Sequence, residues 1–495
     1  MMVKQTIARA LVVSLGCIAI IALILTVVQH QSLVVPHRLQ YGMVFDAGST
    51  HTSLYIYRWP GNKENNTGVV SQALVCDVDG LGISSYAQNP PAAGISLTKC
   101  LEMAKIAIPD GQQTATPVYL GATAGMRLLQ LTNQTQTEQV MEQVAKVIQS
   151  FPFDFRGARI LSGIEEGAYG WITVNYLLEG FIKHSFDGEW VRPKGRKILG
   201  ALDMGGSSTQ IAFTPVDAVR DPATAANLKL YGHKYEVYTH SYLCYGKDQA
   251  MKQLQAHLLE MSGLAKPVNH SCFPLGYNMT ITMGNLYDSP CVAKPTWFDP
   301  TAVVTFVGTS DSAQCLSYMR SIINLTACSF APDCGFNGVY QPSVSGDFFA
   351  FSAYFYTFDF LGLSPKAPLP KVLTTIDTFC RRTWASLKTE YPKVKESYLR
   401  EYCASAHYMR TVLVEGYKFN ATWENIYFQR QVADTDIGWT LGYMLNLTNL
   451  IPPDRPPVVT GVQHSQWAAE VFFIVFAVFL SLLVLAVLWI WTPNK

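Results

Sequence analysis

The sequence predicts an α/β protein of two related lobes, anchored by a membrane-spanning helix at each end. Three features of its 495 residues support this prediction. An apolar block lies near each terminus, a strand–turn–strand pattern occurs twice between the blocks, and all but one of the 11 cysteines also lie there. The 37 Lys and Arg residues nearly balance the 36 Asp and Glu residues, and no basic block exceeds a few residues, so nothing indicates nucleic acid as a partner.

The first apolar block covers residues 10–28 and contains no charged residue. It is long enough to cross a bilayer core of about 30 Å. Lys4 and Arg9 precede it, which favours a cytoplasmic tail at 1–9. A cleaved signal peptide is the alternative, but the stretch is long for one and residues 27–30 offer no small-x-small cleavage site. We therefore predict an uncleaved transmembrane helix.

The second apolar block covers residues 471–491 and is flanked by tryptophans, as interfacial aromatic belts are. Trp467 lies on one side, and Trp489 and Trp491 lie on the other. A lipid-anchor signal would need a polar spacer and no aromatic anchoring, so a second span is favoured. Two spans place both short tails, 1–9 and 492–495, on the cytoplasmic side and the central region on the other side.

The cysteines indicate which side the central region faces. Cys17 lies in the first span, and the even number that remains suits disulfides in an oxidising space. Thiolate ligation of a metal is the weaker alternative, because no cysteine pair has zinc spacing. Asn-x-Ser/Thr glycosylation signals begin at Asn65, Asn133, Asn269, Asn278, Asn324, Asn420 and Asn446. The cysteines and the glycosylation signals together predict that the region between the two spans is extracellular.

The duplicated pattern is a β-hairpin with an Asp-x-Gly turn. An apolar strand at 41–45 leads into the turn at 46–50, and a second strand follows at 52–57. The pattern returns with a strand at 197–202 and the turn Asp-Met-Gly-Gly-Ser-Ser-Thr at 203–209. A repeat on the scale of a domain predicts two related α/β lobes that face each other.

Other elements are predicted around these hairpins. Helical stretches lie at 136–150 and 165–179, and a further strand lies at 118–120. The region 242–334 is rich in cysteine and glycosylation signals, which is typical of a disulfide-stapled elaboration of a lobe. An aromatic run follows at 348–358.

The two turns suggest a phosphate clamp. Gly48 permits close backbone approach, and the N–H groups and hydroxyls that follow it can surround a phosphate. Asp46 beside them would repel phosphate unless a divalent cation lies between, and Asp203 repeats this arrangement. A single Asp-x-Gly turn is usually an ordinary hairpin, but two flanked by strands favour function. No Walker A motif occurs, which excludes a P-loop.

Two further motifs could be structural or functional. Thr123 follows a strand at a turn of small residues, where it would contact phosphate or form a packing turn. Ser162 precedes Glu165 at capping-box spacing, yet hydrolysis needs a base, and Glu165 and Glu166 are the best carboxylates outside the hairpins. The aromatic run and Trp439 could stack on a nucleobase or form core.

These motifs resemble, in order, the five apyrase conserved regions, and the whole chain resembles the plasma-membrane ecto-nucleoside triphosphate diphosphohydrolases. The resemblance implies two ribonuclease H-like lobes of the actin–hexokinase–chaperone superfamily. Lobe I would cover 38–163, completed by 430–452, and lobe II would cover 164–429. It also implies that the protein hydrolyses extracellular nucleoside tri- and diphosphates to the monophosphate with Ca²⁺ or Mg²⁺. The protein would be a multi-pass protein of the plasma membrane, embedded in the lipid bilayer.

The resemblance also implies the roles of individual residues. Glu165 would be the base that activates water, so Glu165→Gln would lower turnover. Ser208 and Gln210 would hold that water. The residues that contact phosphate would be Gly48, Ser49, Thr50, His51, Thr123, Gly206 and Ser207.

The residues that contact the metal and the nucleobase are assigned in the same way. Asp46 and Asp203 would bind the metal through its water shell, with Trp439 lining that side. Tyr356 would be the ring that stacks on the nucleobase. Glu415 departs from the family pattern, because some members have an arginine there beside the nucleobase.

The family pattern of disulfides would be Cys76–Cys100, Cys244–Cys291, Cys272–Cys315, Cys328–Cys334 and Cys380–Cys403. In the first span, Cys17 with the small residues Ser14 and Gly16 could support helix association and a homo-oligomer. Two rival readings remain, an ATP-dependent kinase or chaperone of the same superfamily and an adhesion or receptor ectodomain. Phosphate release from ATP by intact cells, with and without EDTA, would separate the three.

Overall fold

A long apolar helix opens the chain. Helix α1 covers Met2–Val28 and contains the predicted first span, and the short strand β1 (Ser32–Val34) follows it. The structure is a computed structural model that describes residues 2–28, 32–34, 38–184, 190–195, 197–263, 267–451, 458–460 and 464–490. Residues 39–453 form one unit, and the segments before and after them form another.

The first sheet of the large unit contains the first predicted hairpin. Its strands are β2 (Leu39–Ala47), β3 (Thr52–Pro60), β4 (Ser71–Asp77), β5 (Pro117–Ala122) and β6 (Asp154–Ile160). Their order is β4-β3-β2-β5-β6, with β3 antiparallel to both neighbours and β5 parallel to both of its neighbours. The first strand therefore lies in the middle, which places its Asp-x-Gly turn at the centre of one sheet edge.

Helices cover this sheet and complete its core. They are α2 (Pro90–Ser96), α3 (Thr98–Ala107), α4 (Asp110–Gln113), α5 (Ala124–Thr132) and α6 (Gln134–Gln149). Asn133 caps α6, since its side chain accepts from the Gln136 N–H at 3.0 Å. Val140, Val144 and Ile148 follow at four-residue spacing and are fully buried. The helix predicted at 136–150 is thus amphipathic, with this stripe facing the core.

The second sheet repeats the strand order of the first. Before it, α7 covers Gly163–Leu177, and the short strands β7 (Lys183–His184) and β8 (Trp190–Val191) pair. The sheet strands are β9 (Gly200–Met204), β10 (Ser208–Phe213), β11 (Ala225–Leu230), β12 (His233–Leu243), β16 (Phe348–Ser352) and β17 (Ile426–Phe428). Their order is β11-β12-β10-β9-β16-β17. Apart from the extra edge strand β11, this is the first sheet's topology, so the predicted duplication is confirmed.

Between β12 and β16 lies the predicted disulfide-rich elaboration. It contains α8 (Lys247–Met261), β13 (Val268–His270), β14 (Asn278–Thr282), α9 (Met283–Leu286), β15 (Val303–Gly308) and α10 (Ser312–Ser321). The three strands form a sheet in the order β13-β15-β14. Five disulfides are present in the large unit, in the pairing that the family resemblance implies: Cys76–Cys100, Cys244–Cys291, Cys272–Cys315, Cys328–Cys334 and Cys380–Cys403.

The aromatic run divides between a strand and a helix. Its first residues form the buried strand β16, and the rest begin α11 (Ala353–Phe360). The elements that follow are α12 (Leu369–Cys380), α13 (Trp384–Glu390), α14 (Glu396–Leu399), α15 (Tyr402–Thr411), β18 (Gln431–Val432), β19 (Thr435–Asp436) and α16 (Trp439–Thr448). Helix α16 packs against α7 and β2. Residues of these three elements belong to one buried cluster, which also contains Ala201 and Ala212 of the second sheet.

The chain closes with strand β20 (Val458–Thr460), which pairs antiparallel with β1, and helix α17 (His464–Ile490). Thr6–Thr26 and Trp467–Val487 are long and apolar enough to cross a membrane, with mean hydropathy of 2.6 and 2.8. Helices α1 and α17 contact each other. Trp491 and the predicted tail at 492–495 lie outside the described residues. Each large sheet lies within one predicted lobe, and the lobe boundaries themselves stay a prediction.

Candidate active site

The two Asp-x-Gly loops meet. Asp46 and Asp203 each occupy the second-last position of a hairpin's first strand, one in each large sheet. A Cβ built on Gly206 would lie 2.8 Å from Thr50 Cγ2 and 2.9 Å from Ser49 Oγ. Only glycine allows this approach, so the second loop requires Gly206 in order to face the first. The two sheets thus bring their loops to one shared place.

Three carboxyl groups share the space beneath these loops. Burial, followed by the negative charge of Glu166 and more weakly that of Asp203, raises the pKa of Asp46 to about 8. Burial and Glu166 likewise raise the pKa of Asp203 to about 7. Burial raises the pKa of Glu166 as well, although Arg127 opposes this rise. The charge of Glu166 acts on both aspartates and that of Asp203 acts on Asp46, so the three carboxyl groups lie close enough to interact.

This cluster has the chemistry of a divalent-cation site. Asp46 Oδ1 is buried and has no hydrogen-bond partner among the described residues, and neither has Trp439 Nε1. The Trp439 indole N–H faces Asp46 and lowers the pKa of its carboxyl. Carboxylate oxygens are the ligands that Ca²⁺ and Mg²⁺ prefer, and a cation would offset the buried negative charge. An indole N–H only donates, so Trp439 can line the site and bond to a water or a carboxylate.

Glu165 does not belong to this cluster. Ser162 N donates to Glu165 Oε2 at 3.0 Å, and Ser162 Oγ accepts from Glu165 N at 3.2 Å, which is a complete capping box. Arg159 Nη1 donates to Glu165 Oε1 at 2.7 Å. Burial raises the pKa of Glu165, but the bonds from Ser162 and Arg159 outweigh it and lower the pKa. Its carboxylate is therefore committed to the helix end, and our assignment of Glu165 as the base does not fit this geometry.

Glu166 occupies the position that we expected for Glu165. It is 7% exposed, pairs with Arg127, and accepts from Gln210 Nε2 at 3.1 Å. Gln210 Nε2 also lies 2.6 Å from Ser208 Oγ and 3.0 Å from Ser241 Oγ. Gln210 Oε1 is buried without a hydrogen-bond partner among the described residues, so it can accept from water. Ser208 and Gln210, which we expected to hold water, thus surround Glu166.

The capping-box spacing was the signal that could have distinguished the two glutamates. A glutamate three residues after an N-cap serine folds back onto the serine N–H, whereas the next residue points elsewhere around the helix. Ser241 had no comparable signal, because its partners come from distant parts of the chain. Arg127 ends the small-residue motif at 121–127, but its partner Glu166 comes from a distant part of the chain.

The remaining predicted phosphate residues lie in the two loops or beside them. Thr123 is 5% exposed at the start of α5, and its N–H donates to Ala47 O at 3.1 Å. A Cβ on Gly125 would lie 2.7 Å from Ser49 Cα, so this turn packs closely under the first loop. His51 is exposed, and its Nδ1 lies 2.9 Å from Thr50 Oγ1. The loops themselves contain Gly48, Ser49, Thr50, His51, Gly205, Gly206 and Ser207.

A cavity of about 260 Å³ opens next to the second loop. Its lining includes Tyr356, Tyr398, Tyr402 and Lys247. One face of the Tyr402 ring stacks on Phe360, with ring centroids 3.7 Å apart and planes within 5°. Tyr356 is 52% exposed, so this cavity presents aromatic surface to an incoming ring. The prediction for Tyr356 used the aromatic run, whereas Tyr402 carried no sequence signal.

The cavity is tied to the second hairpin loop through the start of α8. Lys247 N donates to Gly205 O at 2.9 Å, and Lys247 Nζ lies 2.8 Å from Asp248 Oδ1 and 3.1 Å from Glu401 Oε2. Glu415 does not line the cavity, and instead its carboxylate pairs with Arg320 at 2.7 Å. The departure from the family pattern at position 415 therefore does not bear on this cavity.

The asparagines of the predicted glycosylation signals are mostly accessible. Asn446 is the exception, because it is half-buried on α16 and its signal threonine, Thr448, is fully buried. The exposed ones are Asn65, Asn133, Asn269, Asn278, Asn324 and Asn420.

The two large sheets share one topology, and their Asp-x-Gly loops meet beside buried carboxyl groups. This arrangement is that of a two-lobed α/β enzyme. Residues 32–459 match the GDA1/CD39 (nucleoside phosphatase) family, so the chain belongs to that family and the prediction of a hydrolase is confirmed. Among solved structures, the nucleoside triphosphate hydrolase of Neospora caninum has the same fold. Its TM-score is 0.58 at 15% identity, and the match covers 83% of this chain and 93% of that one. This likeness confirms the predicted α/β fold.

Curated relatives match the whole length. The chain is 48% identical over 492 residues to ectonucleoside triphosphate diphosphohydrolase 8 of Gallus gallus, covering 99% of each chain. It is 46% identical over 462 residues to ectonucleoside triphosphate diphosphohydrolase 2 of Mus musculus, covering 92% of each.

Proposed function

We propose that this enzyme hydrolyses extracellular nucleoside 5′-triphosphates and diphosphates to the monophosphate and phosphate. The observation that carries the proposal is the meeting of two Asp-x-Gly loops beside the buried Glu166. The related ectonucleoside triphosphate diphosphohydrolases support the same substrates. A clamp with one loop from each lobe suits a polyphosphate chain, which offers charge on both sides.

The loops bind the phosphates. Their backbone N–H groups and the hydroxyls of Ser49, Thr50 and Ser207 would contact the phosphate oxygens, and Gly206 lies where the two loops approach each other closely. Thr123 supports the first loop from below and offers a further hydroxyl. Phosphoryl transfer needs such positioning and charge neutralisation more than covalent chemistry.

Asp46 and Asp203 would hold Ca²⁺ or Mg²⁺ through its water shell, with Trp439 lining that side. The ion, when bound, supplies positive charge that offsets the phosphate oxygens and polarises them. The raised pKa values of both aspartates support this role, because a buried carboxyl without a cation tends to take up a proton. The chain's own contribution is to hold two carboxylates at equivalent positions of facing hairpins.

Glu166 takes the role that the family resemblance suggested for Glu165. Ser208 and the free Gln210 Oε1 orient a water, and Glu166 accepts its proton as the water oxygen attacks the terminal phosphorus. The P–O bond to the leaving nucleotide breaks as the new P–O bond forms. Arg127 favours the ionised form of Glu166, which a base requires.

The cavity beside the second loop would receive the nucleobase. Tyr356 and Tyr402 offer ring faces, and stacking accepts any base at about 1–3 kcal/mol per base. Because the cavity joins the loop through Lys247 and Gly205, a base there leaves the phosphate chain directed at the clamp.

An extracellular site at the plasma membrane is supported by three features. Five disulfides require an oxidising space, the glycosylation asparagines are mainly exposed, and an apolar helix precedes and follows the enzyme unit. Both termini would then be cytoplasmic.

The test uses intact cells that express the full chain. ATP and ADP added outside should release phosphate, EDTA should abolish release, and permeabilising the cells should add little. Expression of Asp203→Asn provides the matched control for other surface enzymes. Activity that appears only after permeabilisation would refute the location, and no release from either nucleotide would refute the activity.

A further inference from the structure

Strand β12 forms a wall beside Glu166 that no motif in the sequence indicated. Helix α7 carries Glu166 in its first turn, and two glycines let this turn approach the strand. A Cβ on Gly163 would lie 2.3 Å from Ser241 Cβ, and a Cβ on Gly167 would lie 2.3 Å from Thr239 Oγ1. Neither distance is compatible with a side chain, so the helix docks on β12 through both glycines, and Glu166 lies between them in sequence.

The ladder of the second sheet places Ser241 directly beside Gln210. The Cα register pairs Gln210 with Ser241 on β12 and with Asp203 on β9. Directly opposed residues of neighbouring strands project from the same face of a sheet. Asp203, Gln210 and Ser241 therefore form a row across three strands, with the proposed metal carboxylate at one end and Ser241 at the other.

The Ser241 hydroxyl joins two groups that contact Glu166. Its oxygen accepts from Gln210 Nε2 at 3.0 Å and from Arg127 Nη1 at 3.4 Å. Gln210 Nε2 and Arg127 Nη2 in turn contact the Glu166 carboxylate. Arg127 comes from the first lobe and Gln210 from the second, so one hydroxyl fixes a donor from each lobe relative to the base.

We propose that Ser241 is a positioning residue for the hydrolytic reaction, which holds the Gln210 amide and the Arg127 guanidinium in place around Glu166. This inference rests on the proposed function. Ser241 itself lies one contact away from the reacting water, so it acts through Gln210 and Arg127. Without its hydroxyl, both donors lose one acceptor. Gln210 Nε2 keeps its bonds to Ser208 and Glu166, but the direction of Gln210 Oε1 toward the water is held less firmly.

The experiment compares variants of the full chain in membranes. Ser241→Ala should lower kcat for ATP and ADP by about 10- to 100-fold, the usual effect of removing an outer partner of an active-site group. KM should stay within about twofold, since Ser241 contacts neither loop nor cavity. Ser71→Ala on the edge strand β4 is the control, because that hydroxyl bonds only the Arg58 carbonyl at 3.4 Å.

A double variant tests whether Ser241 acts through Gln210. If it does, Ser241→Ala should cost less in a Gln210→Ala background than in the wild type, because groups that act as a unit are not additive. The proposal is overturned if the loss of kcat in the double variant equals the product of the two single losses. It is also overturned if Ser241→Ala leaves kcat unchanged. Should the alanine variant fold poorly, Ser241→Cys keeps a side chain of the same shape, slightly larger and with only a weak acceptor, and should show the same loss.

The outcomes separate the two levels of inference. Wild-type enzyme that releases no phosphate would overturn the proposed function, together with this inference. An active wild type with fully active Ser241→Ala would overturn only the positioning role of Ser241.

Discussion

The sharpest test of the site exchanges each of two adjacent glutamates for glutamine. Glu166→Gln keeps the shape of the side chain and an oxygen that can accept from Gln210 and Arg127, but it removes the basic carboxylate. A general base typically contributes about 10²–10⁴ in rate, or about 3–5 kcal/mol of transition-state stabilisation. We expect kcat to fall by that factor while nucleotide binding survives.

Glu165→Gln is the matched control, with the same chemical change one residue away. Glutamine serves in a capping box as glutamate does, so the helix end is retained. The variant loses the ion pair with Arg159, whose side chains are 43% and 32% exposed. Solvent screening limits such a pair to about 0–1 kcal/mol. We therefore expect a small change in melting temperature and a kcat within about threefold of the wild type, by the usual relation of energy to rate.

The assay is phosphate release from ATP and ADP under saturating substrate, with binding measured separately by thermal shift with a non-hydrolysable nucleotide. The family resemblance alone assigned the large loss to Glu165, so the two variants give opposite results under the two assignments. If Glu165→Gln abolishes turnover while Glu166→Gln retains it, the geometric reasoning is refuted.

Three further changes test other parts of the site. Asp203→Asn should raise the melting temperature in EDTA, because the raised pKa of Asp203 reflects the unfavourable burial of its charge. The variant should also lose any stabilisation by Ca²⁺. If Ca²⁺ raised the melting temperature of variant and wild type equally, the metal role would be contradicted. Tyr402→Ala should raise KM about 5- to 150-fold, from about 1–3 kcal/mol of stacking, with kcat retained, and a change in kcat alone would exclude contact with the nucleobase. Ser352 has φ of 55° and ψ of −131°, so Ser352→Gly should relieve about 1–3 kcal/mol of strain and raise the melting temperature, and a lower melting temperature would contradict this argument.

Patterns within single segments could be predicted from the sequence. The paired hairpins, the strand at 118–120 and the helix at 136–150 follow from periodicity and turn residues, which act over a few positions. Asp46 and Asp203 were found because their loop occurs twice. The two sheets then confirmed that the duplication extends to the strand order.

Contacts between distant segments could not be predicted in this way. Arg127, Glu166 and Ser241 come from three elements that meet only in the folded chain, and no local pattern marks their encounter. Tyr402 similarly lines the same cavity as Tyr356, although the two residues lie on different helices. The choice between Glu165 and Glu166 depended on where the first turn of α7 docks, and Gly163 and Gly167 set that position through tertiary contact with β12.

The duplication accounts for binding, but the chemistry depends on features that occur once. Two equivalent loops would hold a polyphosphate equally well in either direction, since each offers an aspartate, glycines and hydroxyls. The carboxylate of Glu166 breaks this symmetry, because α7 packs on the strands of the second sheet. The aromatic cavity breaks it again, because it is tied to the loop with Gly206 through Lys247. A base held there leaves one end of the phosphate chain to reach Glu166, so which phosphate is cleaved depends on the distance from cavity to carboxylate.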